Sequence, residues 1–406
     1  MKIQTFILLL SLFAINVSAQ VATVRGIIKD KQGSPIPMAG IYLAGYKAAT
    51  MTDNNGNFKF PPLQPGNYDI IVQMVGFLPG KANVSLENKD VTVNITLQES
   101  TTNIKQVVIM PDPNRARYIE LFKEYFIGKT ENAAKCKLLN PEILRIDFDR
   151  EENVLNVSTD EFLVLDNPVL GYKVKYLLQK FEYDIKKRIV YFEGQNVFEE
   201  MNGSERMKRK WAKAREIAYR GSIQHFYRSL SNGTANKEGF VINKLKTLPN
   251  KNRPADSLIE ANIKRLTKGQ ANIQRVLTFT SGDSISYWLK MRREPVTMAI
   301  VDRGNVLIDT LVHTYDQNIK YLNFTDDLYV IYTKEKQPEN FSFTGYWLSR
   351  PRDITDEQVS QIKAYKLPLA FYANGAQTDP SWSLQKGYWA YEKVADQVPL
   401  DYEPIP

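Results

Sequence analysis

Two pairs of carboxylates have the residue types and the spacing for acid–base chemistry. Asp147 and Asp149 flank a single residue, and so do Glu182 and Asp184. Alternate residues of a β-strand point to the same face, which would place the carboxyl groups of each pair about 7 Å apart. That separation suits an inverting glycosidase, in which one acid protonates the leaving group and the other activates water. Such pairs are also common on solvent-exposed sheet faces, beside lysine and arginine neighbours.

The chain provides few residues for metal-dependent or nucleophilic catalysis. It has two histidines, His225 and His313, and one cysteine, Cys136. Neither histidine belongs to the His-x-x-Glu pattern of zinc peptidases, and both are far from Cys136 in sequence. The chain contains no G-x-S-x-G, P-loop or G-x-G-x-x-G motif. The sequence therefore predicts no metal site, no cofactor, an inert thiol at Cys136 and no disulfide within the chain.

A strongly basic stretch has the pattern of an anion-binding helix. Apolar residues between 204 and 230 recur at three- and four-residue steps, which predicts one long amphipathic helix with Ser204 as its N-cap. Exposed cations on such a helix contact phosphate or another anionic surface. The residues expected to do so are Lys208, Arg209, Lys210 and Lys213. A solvated helix face with Trp211 in the core explains the same pattern.

From Phe341 onwards the chain is rich in tryptophan and tyrosine. Exposed flat rings can stack on the apolar faces of a pyranose, so this segment predicts a glycan-binding platform. Its candidate residues are Tyr346, Trp347, Trp382 and Trp389. Because the same residue types also fill cores and interfaces, burial of these rings is the alternative.

The elements that must position these residues begin with a stretch of short strands at residues 24–97. Val91, Val93, Ile95 and Leu97 alternate with polar residues, and residues 58–60 and 68–74 repeat that alternation. Turn clusters rich in Asp, Asn, Gly and Pro separate the apolar runs. This arrangement predicts a small antiparallel β-sandwich.

The acidic turn at residues 53–57 raises the question of calcium binding. An EF-hand loop that began at Asp53 would need glycine at its sixth position and glutamate at its twelfth. Phe58 and Gln64 occupy those positions, so the EF-hand is excluded. A hairpin turn is the simpler interpretation, and a looser calcium-binding turn is the alternative.

The same stretch resembles the carboxypeptidase-regulatory-like domain family over about residues 21–100. The residues that carry the resemblance are Gly26-Ile27-Ile28, Asp30 to Pro37, Thr52-Asp53, Gly56-Asn57-Phe58, Leu63, Pro65-Gly66, Tyr68 and Gly76-Phe77. The resemblance implies a seven-stranded, transthyretin-like or immunoglobulin-like sandwich. Such domains are common at the N-termini of TonB-dependent receptors and of other Gram-negative envelope proteins. The domain is accessory in the carboxypeptidases that gave it its name, so the resemblance implies no peptidase activity.

Residues before and after the sandwich indicate export and a second domain. Lys2, an apolar run from residue 6 to 17, and the small residues after it predict a secretory signal at 1–20. That run is too short to span a membrane, and no later stretch predicts a transmembrane helix. The sandwich is assigned to 21–100, and the Pro-Asp-Pro run marks a linker at 101–114. Residues 115–406 are predicted to form a larger α+β domain with an antiparallel sheet.

Within the second domain, periodicity predicts individual elements. Helical spacing occurs at 115–126 and 257–266, besides the long basic helix. Strand-like spacing occurs at 143–148, 154–157, 162–165, 172–183, 189–192, 277–279, 284–291, 298–302, 306–310 and 328–333. Residues 118–144 and 386–402 resemble parts of uncharacterised envelope proteins that carry the same first domain, which implies no activity.

The overall charge bears on the class of partner. The chain has 406 residues and a formal net charge of +8. An exported basic protein meets lipopolysaccharide, peptidoglycan or acidic glycans, whereas nucleic acid is not an expected partner there. We therefore expect a non-catalytic binding or accessory protein of the periplasm or outer membrane, whose partner is an outer-membrane protein, a glycan or an anionic surface. The alternative is a glycan or cell-wall hydrolase that uses carboxylates of the second domain.

Overall fold

The structure is a computed structural model that describes residues 22–100, 112–267, 282–304, 306–316 and 318–405. The predicted signal segment, most of the predicted linker and the predicted strand at 277–279 lie outside these residues. No helix in the described part of the chain is long and apolar enough to cross a membrane.

The N-terminal strands form a sandwich of two sheets. One sheet has the order β4-β1-β7 and the other β3-β2-β5-β6. The strands are β1 Val24–Lys29, β2 Gly40–Leu43, β3 Ala49–Met51, β4 Asn57–Lys59, β5 Gly66–Gln73, β6 Gly80–Leu86 and β7 Val91–Thr96. The seven-stranded sandwich is confirmed. It differs from the predicted antiparallel arrangement in one pair of strands, since β1 and β7 enter the first sheet from the same end and run parallel.

Period-two alternation builds the core of the sandwich. Ile70 and Val72 of β5 are fully buried, and so are Ile41 of β2 and Val24 of β1. Alternate side chains of a strand point to one face, so each strand places its apolar set between the sheets. Burial of these side chains is the main source of the domain's stability.

The acidic turn at residues 53–57 is a corner and not the predicted hairpin. It joins β3 to β4, and these strands belong to different sheets. The Asp53 carboxylate accepts hydrogen bonds from the backbone N–H groups of Asn55 and Asn57, both at 2.8 Å. The bonds from Asn57 lower the pKa of Asp53. This carboxylate therefore serves the turn, and no cluster of three or more metal-ligating side chains occurs among the described residues.

The larger part begins with a helix packed on an antiparallel sheet. Helix α1, Arg115–Phe122, continues as a π-helical turn, Lys123–Ile127. The strands are β8 Lys137–Leu138, β9 Arg145–Asp149, β10 Val154–Ser158, β11 Leu163–Asn167, β12 Tyr172–Asp184 and β13 Ile189–Glu200. The long β12 pairs with β13 on one side and with β11 and β10 on the other. The predicted strands of this region are confirmed.

Two further antiparallel sheets complete the chain, with the orders β15-β14-β18-β19-β21 and β16-β17-β20. The strands are β14 Phe240–Pro249, β15 Thr297–Asp302, β16 Val312–Thr314, β17 Ile319–Leu322, β18 Asp327–Lys336, β19 Glu357–Ala364, β20 Leu369–Tyr372 and β21 Ser383–Gly387. The helices are α2 Glu205–Tyr219, α3 Ile223–Ser231, α4 Asp256–Thr267, α5 Gly282–Arg293 and the single turns α6 Ile308–Leu311 and α7 Tyr388–Tyr391. The predicted α+β character is confirmed.

The predicted long basic helix is wrong in its length, because the chain breaks it into α2 and α3. Gly221 lies at the break with φ +75°. A Cβ there would lie 2.4 Å from the Gln358 side chain and 2.6 Å from the Tyr332 ring. Ser204 caps α2 as predicted, since its hydroxyl accepts the Met207 N–H at 3.4 Å. The break therefore results from contacts with β18 and β19, which are distant in sequence.

Two predicted strands are wrong. Residues 284–291 lie in α5, and residues 306–310 run into the turn α6. In α5, Trp288 and Met291 are three residues apart and pack on Ile259 and Ile263 of α4. That spacing is helical, because side chains three or four residues apart share a helix face.

The sandwich is attached to the larger part by the turn after β2. Gly45 donates its N–H to the Asn196 carbonyl at 2.7 Å and accepts the Leu400 N–H at 2.7 Å. The Tyr46 carbonyl accepts the Phe198 N–H at 3.1 Å. An apolar contact lies beside this turn, made by Ile71, Phe162, Leu177 and Val197. The sandwich therefore binds the edge of β13 by both backbone hydrogen bonds and apolar burial.

We expect Gly221→Ala to lower the free energy of unfolding by about 2–4 kcal/mol, because the methyl group overlaps two side chains and the backbone is left-handed. Gly233→Ala is the matched control, since Gly233 has φ +68° but no atom within 4 Å of an added Cβ. The control should lose about 1 kcal/mol. Urea denaturation of both variants measures the difference, and equal losses would contradict a break fixed by tertiary contact.

Candidate functional site

A cleft with a volume of about 1510 Å³ lies between β13 and β21. Within the described residues, β13 pairs with β12 alone and β21 with β19 alone, so each contributes a sheet edge. Gln195 of β13 lines one wall, and Gln385 and Lys386 of β21 line the other. The inner end is formed by the C-terminal segment, which contributes Trp389 and Lys393. The cleft is thus built where two sheets approach each other without pairing.

Aromatic rings stand along this cleft in accessible positions. Phe343 is 90% exposed, Tyr365 is 59% exposed and Trp347 is 44% exposed, and all three line the cleft. Tyr346 lines it as a half-buried ring. The Arg350 guanidinium lies 5.7 Å from the Trp347 ring centroid and supports that ring. Apolar rings held in a concave site form a contact surface for a ligand.

A buried ring holds the aromatic turn in place. Phe341 is fully buried and packs on Tyr388 and Tyr391 of α7, with centroid distances of 5.6 and 5.3 Å. The next residues form a 3₁₀ turn, and the Thr344 hydroxyl donates to the Phe341 carbonyl at 2.7 Å. The turn is therefore anchored at its start, and Phe343 projects from it.

Amide side chains along the β21 wall are held by one another. Gln377 donates to the Tyr227 hydroxyl at 2.8 Å and to the Ser383 hydroxyl at 3.2 Å. Gln385 donates to the Gln377 side-chain carbonyl at 3.1 Å. Polar groups whose orientation is fixed in this way give specificity to an otherwise apolar site.

Ionisable side chains lie at the inner end of the cleft. The Asp396 carboxylate accepts the Thr130 hydroxyl at 2.9 Å and the Asn132 amide at 3.0 Å, and burial raises its pKa to about 6. Lys393 is 9% exposed, and burial lowers its pKa to about 8. The Asp396 carboxylate thus ties two chain segments together, whereas the Lys393 ammonium has no carboxylate partner among the described residues.

Glu392 differs from Asp396 in having no hydrogen-bond partner for its carboxyl group within the described structure. Burial, followed by the nearby carboxyl groups of Asp396 and Glu335, raises the pKa of Glu392 well above its ordinary value. Burial also raises the pKa of Glu335 to about 7. Such surroundings favour the protonated form of a carboxyl group, which can donate a hydrogen bond.

The four rings predicted as one platform do not share one surface. Tyr346 and Trp347 line the cleft. Trp382 lies outside it, with the Lys366 ammonium 3.8 Å from its ring centroid. Trp389 is buried at the inner wall, where its indole N–H donates to the Gly221 carbonyl at 2.7 Å. The exposed rings of the cleft include two that were not predicted, Phe343 and Tyr365. Tyr365 follows a strand that periodicity did not predict.

The predicted anion-binding residues lie on α2, away from the cleft. Lys208, Arg209, Lys210 and Lys213 are all exposed. Lys208 pairs with Glu205 at 2.8 Å, and the other three have no ion pair among the described residues. The helix is anchored by Trp211, whose indole N–H donates to the Pro168 carbonyl at 3.0 Å. The basic face therefore stands on a fixed helix.

The carboxylate pairs lie together on one face of the sheet, because Asn156 of β10 pairs with both Asp147 and Glu182. The Glu182 carboxylate forms an ion pair with Lys180 at 3.0 Å, and its cross-strand neighbour Tyr191 stands at the edge of the cleft. Asp184 pairs with Lys187 at 2.8 Å. Asp147 is exposed, and the Asp149 carboxylate accepts two backbone N–H groups of its own turn at 2.9 and 3.0 Å. These placements remove support for a hydrolase that acts through these pairs.

The histidine and cysteine side chains have structural surroundings. His225 is buried, its Nδ1 accepts the Gly221 N–H at 3.0 Å, and its Nε2 lies 2.6 Å from a Glu238 oxygen. Burial lowers the pKa of His225, so the ring is neutral and Nε2–H donates to Glu238. Burial raises the pKa of the Cys136 thiol to about 12, in keeping with an inert thiol.

Glu392→Gln tests the state of the acid at the inner end. A raised pKa means that the folded state keeps a proton that the unfolded state has released, so the stability it gives is present at low pH and lost as the pH rises. We expect the variant to melt increasingly above the wild type as the pH rises above 4.5, the ordinary pKa of a glutamate side chain. Glu193→Gln, at an exposed position of the same cleft, should show no such trend. Melting temperatures measured across a range of pH values test this expectation. A constant difference between Glu392→Gln and the wild type would contradict the raised pKa of Glu392.

Three solved structures show loose likeness to this chain. A 3-chlorocatechol 1,2-dioxygenase from Rhodococcus opacus is 12% identical, covering 21% of this chain and 62% of that chain, with a TM-score of 0.18. A candidate carbohydrate binding protein from Bacteroides uniformis is 12% identical, covering 38% and 57%, with a TM-score of 0.18. A candidate membrane-associated protein of unknown function from Bacteroides fragilis is 11% identical, covering 90% and 97%, with a TM-score of 0.17. TM-scores this low carry no argument about this chain.

The N-terminal part has a firmer relationship. The TonB-dependent receptor SusC from Bacteroides thetaiotaomicron is 33% identical over 97 residues, which make up 24% of this chain and 9% of that receptor. The CarboxypepD_reg-like domain family matches residues 24–109. The N-terminal region of this protein is therefore a CarboxypepD_reg-like domain.

Proposed function

We propose that this protein is a non-catalytic binding protein of the cell envelope that holds a glycan chain in the cleft between β13 and β21. The observation that carries the proposal is the line of exposed rings along the cleft, Phe343, Trp347 and Tyr365. Exposed apolar side chains that are gathered in one concave surface mark sites of ligand or partner binding. The flat apolar face of a sugar ring is a matching surface.

The size of the cleft favours a polymer over a small molecule. Pockets for drug-sized ligands have volumes of roughly 300–1,000 Å³. The cleft is larger, at about 1510 Å³, and it carries fixed amides at Gln377 and Gln385. Amide groups suit the hydroxyl groups of an oligosaccharide, because they both donate and accept hydrogen bonds.

The envelope location is supported by the N-terminal domain. Its relative of 33% identity is a TonB-dependent receptor, although that match spans 9% of the receptor. We include in the same proposal that residues 1–20 are a secretory signal and that the partner is an outer-membrane protein.

A binding role fits the inner end of the cleft better than hydrolysis. Hydrolysis of a glycosidic bond commonly uses two acids that face the bond, one of them free to activate water or to attack the sugar. The Asp396 carboxylate is occupied by the Thr130 hydroxyl and the Asn132 amide. Within this segment, Glu392 therefore has no second acid that is free to act with it.

Removal of the exposed rings should weaken glycan binding. We expect Phe343→Ala and Trp347→Ala each to raise the dissociation constant about tenfold, which corresponds to about 1.4 kcal/mol of lost stacking. Tyr315→Ala is the control, since Tyr315 is 75% exposed and lies outside the cleft. Affinity electrophoresis against a polysaccharide panel, followed by calorimetry, measures the effect. Wild-type protein that binds no polysaccharide of the panel would contradict the proposal.

We also propose that the basic face of α2 contacts an anionic surface, because Arg209, Lys210 and Lys213 are exposed without ion pairs among the described residues. The triple variant K208E/R209E/K210E should lose salt-dependent binding to vesicles that contain lipopolysaccharide. Its control is K29E/K31E/K59E, which reverses three exposed lysines of the sandwich. Vesicle sedimentation measures binding, and equal losses in both triples would leave net charge as the explanation.

A further inference from the structure

We infer that the inner end of the cleft binds an anionic substituent of the glycan at Lys393, so that the ligand is an acidic polysaccharide. This inference rests on the proposed glycan-binding function and adds the chemical class of the ligand. The shared chemistry is an oxyanion carried on a sugar ring, either the carboxylate of a uronic acid or a sulfate ester.

Lys393 is the first observation. Its side chain is more than nine-tenths buried and yet lines the cleft. Its ammonium lies 5.9 Å from the Tyr346 ring centroid and has no ion pair or side-chain hydrogen bond in the described part of the chain. Burial of an ammonium group is costly unless an anion compensates it. The structure holds the cation at a place that a ligand can reach.

The neighbouring carboxylates do not supply that anion. Asp396 accepts the Thr130 hydroxyl, the Asn132 amide and the Lys393 backbone N–H, at 2.9 to 3.4 Å. Burial, followed by the nearby carboxyl groups of Asp396 and Glu335, raises the pKa of Glu392 well above its ordinary value. A carboxyl group whose pKa is raised is a poorer counter-ion for the Lys393 ammonium than an ordinary glutamate.

The walls of the cleft add a second, independent observation. Arg188, Lys363 and Lys386 line it, and none of them forms an ion pair with another described residue. Three acids also line the walls and accept hydrogen bonds: Asp69 from the Asn83 amide at 2.8 Å, Glu193 from the Tyr191 hydroxyl at 2.9 Å and Asp379 from Ser381. Unpaired cations along a concave surface attract an anionic polymer and raise its association rate. The chain as a whole has a formal net charge of +8.

The test compares matched acidic and neutral polysaccharides on the full-length protein. The carboxylate arm uses polygalacturonate and its methyl ester, and the sulfate arm uses dextran sulfate and dextran. We expect the wild type to bind at least one acidic polymer about tenfold more tightly than its neutral counterpart at pH 7. Lys393→Met should bring that ratio close to one, whereas Lys393→Arg should keep most of it.

Two controls separate this effect from general charge and from unfolding. Lys251→Met removes an exposed lysine that lies outside the cleft and should change the ratio less than threefold. Melting temperatures without ligand check folding, and Lys393→Met should not melt below the wild type because it removes a buried charge. If Lys393→Met does not fold, Lys393→Gln is used in its place.

The outcomes distinguish this inference from the function on which it rests. Equal binding of acidic and neutral polymers by the wild type, or an unchanged ratio in Lys393→Met, overturns the inference. The proposed function then still stands if Phe343→Ala and Trp347→Ala lose binding. No binding of any polymer overturns both. Preference in the carboxylate arm or in the sulfate arm supports the inference and identifies the anion.

Discussion

The cleft depends on the burial of the C-terminal segment, residues 389–402, between the larger sheets and the sandwich. Several hydrogen bonds fix this segment. They include the Trp389 indole to the turn between α2 and α3, the Asp396 carboxylate to the loop after α1, and the Leu400 N–H to the turn after β2. Each bond joins a different part of the chain. The segment therefore sets the distance between the two walls, because β13 and β21 do not pair with each other.

The same segment carries ionisable groups that packing alone does not require. Buried charges are usually less favourable than apolar side chains of the same volume, since the loss of hydration exceeds what a pair returns. Asp396 compensates its burial by accepting hydrogen bonds from Thr130 and Asn132, and so it contributes to the fold. Lys393 and Glu392 receive no such compensation within the described residues. Perturbed ionisable groups of this kind concentrate at functional sites, which is the physical reason for locating binding there.

Local pattern was sufficient for the sandwich and insufficient for the cleft. Alternation at residues 91–97 and the turn clusters predicted a small antiparallel sandwich, because each strand needs one apolar face and a nearby reversal. The number of strands, seven, was implied by the family resemblance. The break at Gly221 was missed, since the residues that require it, Tyr332 and Gln358, are more than a hundred positions away. Trp347 and Trp389 are equally aromatic, and tertiary packing alone makes the first exposed and the second buried. The unpaired strand edges that form the cleft have no signal in a single sequence.

The N-terminal domain takes part in forming the cleft. Asn196 and Phe198 of β13 make backbone hydrogen bonds to the turn at Gly45 and Tyr46, and the cleft extends along β13 from residue 189 to this turn. Gly45 itself lines the cleft, and a side chain there would overlap Leu400, which lies 2.5 Å from the position of a Cβ. The sandwich thus occupies the part of the strand edge that would otherwise lengthen the cleft. In the proposed glycan complex, this placement of the N-terminal domain would determine how much of the polymer the larger domain can contact.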